Sequence, residues 1–74
     1  MNINAKLGNR LREIRQREGL TQEELATKAG FHRTYAGNIE RGLENPTIEA
    51  VAKLADVLDV PVRRLFEFDD GNDA

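Results

Sequence analysis

Between Thr21 and Gly42 the chain reads TQEELATKAGFHRTYAGNIERG, two stretches with helical apolar spacing and a lone glycine, Gly30, between them. No other feature limits the fold so tightly. Isolated helices shorter than about 12–15 residues are marginal in water, so neither stretch can stand alone and each must pack on its neighbours. Thr21 with Glu24 three residues on is the reciprocal pairing of a capping box, opening a helix over about Gln22 to Ala29. Its inward residues, Leu25, Ala26 and Ala29, include small side chains that let another helix approach closely. Gly30 can take the left-handed conformation that ends a helix, and Phe31 is placed to pack beneath the turn. A further helix is expected from about Arg33 to Arg41, stopped by Gly42.

The rest of the chain supplies the partners. Ile3, Leu7, Leu11 and Ile14 recur at helical spacing and predict a first helix ended by Gly19. After the loop LENP, Thr47 caps a fourth helix whose Ile48, Val51, Leu54, Ala55 and Leu58 form its apolar stripe. Pro61 suits the first turn of a fifth, about Pro61 to Phe66, anchored by Val60 and Leu65. There is no β-alternation and no repeat. The expected fold is all-α, five short helices forming one domain over residues 1–68, with a short acidic tail over 69–74 that frays.

A chain of 74 residues has a core only just large enough to fold without covalent or metal staples, and this one has no cysteine. Disulfides, zinc-thiolate sites and redox chemistry are excluded. His32 is the single histidine and has no carboxylate cluster around it, so no metal site, cofactor, catalytic residue or enzymatic activity is expected. No apolar run approaches the roughly 18 residues of a membrane span, and the start MNINAKLGNR lacks the apolar core of a signal peptide. These features predict a soluble, cytoplasmic protein with no membrane partner and no evident small-molecule ligand.

The net charge of -2 argues at first against a polyanionic partner. The average hides a division: residues 1–41 carry +3 and residues 42–74 carry -5. A chain basic in front and acidic behind can be oriented on a polyanion.

On a wheel at about 100° per residue, Arg33, Thr34, Gly37, Asn38 and Arg41 share one arc of the third helix, while Tyr35, Ala36 and Ile39 lie opposite. The polar arc carries base-reading chemistry. Arg can bind a guanine edge with two hydrogen bonds, Asn an adenine edge, and Thr offers a hydroxyl and a methyl. Gly37 costs roughly 1 kcal/mol of helix propensity against Ala, a cost that makes sense on an exposed face if something must come close. Two helices joined by a short glycine turn, the second with a polar reading face, describe a helix-turn-helix, with Arg33, Thr34 and Asn38 as candidate base contacts. The competing reading of the same pattern is a plain helical hairpin with a solvated polar face.

Gln22, Leu25, Ala26, Gly30 and Ile39, then IERG with a loop and Pro46, then LADVLDVPVRRLF, resemble the Cro/CI-type phage-repressor helix-turn-helix family, often called XRE-like. The resemblance covers about residues 5–66, and HRTYAGNIERG is most similar to the recognition helix of restriction-modification controller proteins. It implies a phage-repressor-like domain acting as a homodimer on a palindromic double-stranded DNA operator. Base contacts then fall on Arg33, Thr34 and Asn38, with Tyr35 near the DNA backbone or the dyad and Gln22 on a phosphate. Arg41, Asn45 and Thr47 complete the expected backbone contacts.

The sequence departs from the family in places. Ala36 stands where a larger branched residue is usual, Leu43 and Glu44 fill a loop that often carries Lys or Arg, and His32 replaces the usual Ser or Asp cap and is expected to cap poorly. Arg15 and Glu40 border facing apolar stripes and are expected to form a structural ion pair, while Arg10, Arg12 and Arg17 read as a largely solvated face. Val57, Val62, Phe66 and Phe68 remain as apolar side chains without an inward place and form the expected dimer interface. A sequence-specific transcriptional regulator is the leading reading, with the antitoxin of a toxin–antitoxin pair as the alternative. Few residues follow the fifth helix to bind a toxin.

Overall fold

The side chains that could cap helices do so at the start of every α-helix. In the computed structural model, which describes residues 2–68, α1 runs Ile3–Arg17, α2 Gln22–Ala29, α3 Arg33–Glu40 and α4 Ile48–Leu58, followed by a 3₁₀ helix Val62–Phe66. No strand occurs among the described residues, and the tail expected over 69–74 lies outside them. Asn2, Thr21, His32 and Thr47 are the four N-caps, each accepting a hydrogen bond from a backbone N–H of the first turn. At α2 the capping box is complete: Thr21 Oγ1 accepts from the Glu24 N–H at 3.0 Å, and Glu24 Oε1 accepts from the Thr21 N–H at 2.8 Å.

His32 corrects its expectation. Its Nδ1 accepts from the Thr34 N–H at 3.0 Å, the bond that a Ser or Asp would make from the same position. An unprotonated ring nitrogen is an acceptor like a hydroxyl oxygen, so histidine can close this helix end.

The α2–α3 turn is built by Gly30, at φ 81° and ψ 24°, where a side chain would be strained. The Phe31 N–H then reaches back to the Ala26 carbonyl at 2.8 Å, satisfying an end group of α2. At the end of α4 the same left-handed conformation falls to Asp59, at φ 57°.

The fifth helix is corrected from α to 3₁₀. Pro61 is extended, at φ -68° and ψ 152°, and so precedes the helix instead of opening its first turn. The Arg64 N–H bonds to the Pro61 carbonyl, three residues back, at 2.9 Å. Five residues leave an α-helix scarcely one complete turn of bonds, whereas the tighter pattern closes sooner and still drives Leu65 into full burial.

The core joins Leu7, Leu11 and Ile14 of α1, Leu25 and Ala29 of α2, Ile39 of α3, Val51, Leu54, Ala55 and Leu58 of α4, and Leu65. The helix α3 packs between α2 and α1, while α4 covers α2 and the 3₁₀ helix bridges α1 and α4. Ile3 and Ile48 leave the stripes assigned to them, at 54% and 84% exposure. Both open their helices, and because side chains tilt toward the helix N-terminus they project past the end of the packing surface. Ala36 is fully buried, and Phe31 and Tyr35 meet edge to face, ring centres 5.1 Å apart.

Candidate nucleic-acid interface

The exposed face of α3 can be presented only if its opposite face is firmly held. Glu40, buried at the last turn of α3, collects the donors that do this. Arg15 donates from Nε to Glu40 Oε2 at 2.6 Å and from Nη2 to Oε1 at 3.0 Å, and its Nη1 donates to the Leu20 carbonyl at 2.8 Å. Gln22 Nε2 donates to the same Oε1 at 2.9 Å. Arg12 adds a longer approach, Nε to Oε1 at 3.6 Å, and donates from Nη2 to the Glu40 carbonyl at 3.3 Å. One carboxylate thus ties α1 and the start of α2 to α3.

The backbones themselves come close on this side. A β-carbon at Gly8 would stand 2.4 Å from the carbonyl oxygens of both Ile39 and Glu40, so α1 lies directly against the end of α3. Gly37, expected on the open reading face, is buried, because the Gln22 side chain lies over it; a β-carbon there would meet Gln22 Oε1 at 3.3 Å. The close visitor that this glycine admits belongs to the chain itself.

Arg33 and Thr34 open α3 exposed, next to the His32 cap. Asn38, one turn on, is half-buried and engaged at both ends of its amide: Arg41 Nη2 donates to its Oδ1, and its Nδ2 donates to Glu44 Oε2 at 3.5 Å. Arg41 is exposed at the C-cap of α3. Tyr35 is half-buried and packs against the core. Asn45 and Thr47 are exposed in the following loop, where Thr47 Oγ1 accepts from the Ala50 N–H at 3.0 Å and keeps its own proton free to donate.

At the start of α2 the capping bonds reach the carboxyl chemistry. The backbone N–H of Thr21, then its hydroxyl, holds the Glu24 carboxyl below its ordinary range. No cluster that could hold a metal occurs among the described residues. No helix there is long and apolar enough to cross a membrane.

The four apolar residues expected at a dimer interface differ in exposure. Val57 is half-buried against the core. Val62 and Phe66 are exposed and line a groove with Ile3, Pro46 and Ile48, so the two isoleucines displaced from the core lie beside them. Phe68 meets Phe66 edge to face, ring centres 6.1 Å apart, under the Lys6 ammonium.

Several contributors escaped the sequence reading. Arg10 is turned inward, donating from Nε to the Arg64 carbonyl at 3.1 Å, and Arg12 joins the Glu40 cluster instead of a solvated face. A basic residue whose partner lies on another helix, as Glu40 does 28 residues from Arg12, gives no periodic signal of its own. Gly8 stood on the apolar side of α1 between Leu7 and Leu11, where a glycine amid good helix formers was the available clue.

A family model described as helix-turn-helix matches residues 11–65. The crystal structure of the restriction-modification controller protein C.AhdI from Aeromonas hydrophila superposes with a TM-score of 0.84 at 46% identity, covering 85% of this chain and 96% of that one. An uncharacterized HTH-type transcriptional regulator of Archaeoglobus fulgidus is 43% identical over 61 residues, 82% of this chain and 87% of the relative. The HTH-type transcriptional regulator SinR of Bacillus subtilis is 40% identical over 62 residues, which span 82% of this chain and 56% of SinR. A crystal structure of SinR in complex with DNA superposes at 40% identity with a TM-score of 0.78, over 82% of this chain and 98% of that one.

Proposed function

Because the chain belongs to the helix-turn-helix family of transcriptional regulators, we propose that it binds double-stranded DNA sequence-specifically, as a homodimer on a palindromic operator, with α3 in the major groove. The observation that carries this reading is the division of α3. Ala36, Ile39 and Glu40 are fixed from behind, while Arg33 and Thr34 stand exposed and Asn38 borders them. A rigid helix with a guanine-reading and an adenine-reading side chain five residues apart is suited to direct readout.

Arg33, Thr34 and Asn38 are the base contacts in this reading. Gln22, Tyr35, Arg41, Asn45 and Thr47 contact the DNA backbone. For Gln22 the Glu40 bond leaves the backbone N–H groups at the start of α2 to meet a phosphate, where the helix dipole favours an anion. Arg41 keeps guanidinium donors beyond the one spent on Asn38. SinR, a 40%-identical relative, has been crystallised with DNA, which supports the same partner here.

The second copy is joined through Val62 and Phe66 with Phe68, extended to Ile3 and Ile48 across the groove, while Val57 contributes from the edge. One α3 covers only a few base pairs, and a two-fold axis is the simplest way to lengthen the site. Similarity to C.AhdI at 46% identity supports the control of a restriction-modification system as the context, in the cytoplasm.

The test is Arg33→Ala. Binding to the operator should weaken by roughly 1–3 kcal/mol and lose preference at one base pair per half-site, while binding to random DNA changes less. An unchanged ratio of operator to random affinity would remove Arg33 from the reading face.

A further inference from the structure

We propose that Glu44, in the loop that follows α3, joins Arg41 in fixing which way round the Asn38 amide faces the DNA and thereby helps select adenine at the base pair Asn38 reads. The proposal rests on the reading of Asn38 as a base contact and adds a residue that orients it.

The two ends of an asparagine amide are opposite in kind: Oδ1 only accepts and Nδ2 only donates. In the structure each end has a neighbour that tolerates one orientation. Arg41 donates to Oδ1, and a guanidinium has no acceptor to offer in exchange. Glu44 Oε2 stands 3.5 Å from Nδ2, and an ionised carboxylate has no donor. Half a turn about the amide would set NH2 against the guanidinium and the carbonyl against the carboxylate. Both contacts would be repulsive. At 3.5 Å the Glu44 contact is a long hydrogen bond, so its force lies mainly in what it forbids.

The lock leaves the amide usable. Oδ1 has two lone pairs and Nδ2 two hydrogens, and one of each is spent. An amide oxygen and an amide N–H presented together are the complement of the N6 donor and N7 acceptor of adenine. Reversed, the same amide would offer donor and acceptor in swapped order and suit another base edge. Discrimination grows when the unwanted arrangement is penalised, not only when the wanted one is rewarded.

Glu44 is otherwise hard to place, since a carboxylate beside the reading helix repels phosphates and weakens binding to every sequence. Orientation of Asn38 gives that charge a use. Glu44 is a positioning residue in this account and touches no base.

Asn38→Ala, Glu44→Ala and Glu44→Gln are to be compared with the wild type on duplexes carrying each of the four base pairs at each half-site position. Asn38→Ala should flatten preference at one position, an adenine in the wild type. Glu44→Ala should raise affinity for all duplexes and lower the adenine preference at that position by roughly three- to tenfold. Glu44→Gln sheds the charge and brings an NH2 that can donate to a reversed Oδ1, so it should raise general affinity and lower the adenine preference as Glu44→Ala does. In the free protein, solvent exchange of the Asn38 side-chain NH2 followed by NMR should quicken in Glu44→Ala. A purely electrostatic Glu44 would leave the preference intact in both variants wherever Asn38→Ala removes it, and that result overturns the proposal. If Asn38→Ala flattens no position, the underlying reading of Asn38 fails, and the proposal falls with it.

Discussion

Arg15 holds Glu40 in a two-point contact, Nε to Oε2 at 2.6 Å and Nη2 to Oε1 at 3.0 Å, and so fixes α1 to the last turn of α3. Removing Arg15 leaves a carboxylate with 0% side-chain exposure, whose remaining cation, Arg12, stands at 3.6 Å. Arg15→Ala should therefore cost about 3 kcal/mol of stability, the usual penalty for an uncompensated buried charge. Arg12→Ala, at 41% side-chain exposure, should cost less than about 1 kcal/mol. Urea titrations of both variants check the contrast, and equal small losses would place the pair in effective solvent.

The α1–α3 contact has no room for a methyl group. Gly8→Ala would press a β-carbon to 2.4 Å from two carbonyl oxygens, and backbone cannot swing aside as a side-chain tip can. The expected loss is about 3 kcal/mol despite the better helix propensity of alanine. Thermal melts decide it, and a variant as stable as the wild type would mean that the helices separate freely.

Acid should loosen the start of α2. The Glu24 carboxyl sits below its ordinary range because Thr21 donates to its ionised form, so the capping box adds stability above the unfolded carboxylate's pKa, about 4.3. That contribution is lost as pH falls through the lower folded value. Hydrogen exchange at the Thr21 amide should accelerate, relative to its intrinsic rate, across that window. Glu24→Gln keeps an acceptor for the same bond and should remove the acid sensitivity.

Ile48 offers a clean test of the interface. At 84% exposure it contributes little to the monomer core, so Ile48→Asp should leave melting of the monomer almost unchanged and weaken self-association. Sedimentation equilibrium at micromolar concentration would show a shift from dimer toward monomer. A wild type that is monomeric both free and on DNA would end the dimer proposal.

The helical frame was legible in the sequence wherever the signal is local. The bounds of α2 follow from the Thr21–Glu24 pairing and Gly30, and the buried sides of α1, α3 and α4 follow from spacing. Signals failed where they depend on how far a neighbour extends. Ile3 and Ile48 keep the period of their stripes but lie beyond the end of the surface that covers them. Gly37 read as a gap for a ligand because nothing in α3 itself reveals that Gln22 folds across it. The same holds for Glu44: its charge was visible, but its approach to Asn38 depends on the turn made after Gly42. The fifth helix failed on length, since periodicity over five residues does not separate an α-helix from a 3₁₀ helix.

The central claim is that α3, held from behind by Glu40 and Gly8, reads base edges in two symmetry-related copies. Selection of bound sequences from a random duplex pool tests it most directly. The account predicts enrichment of an imperfect inverted repeat whose half-site centres lie about 34 Å apart, one helical turn, or a multiple of that spacing. Recovery of a pool no richer in any sequence than the starting one, at salt low enough for binding, would contradict it.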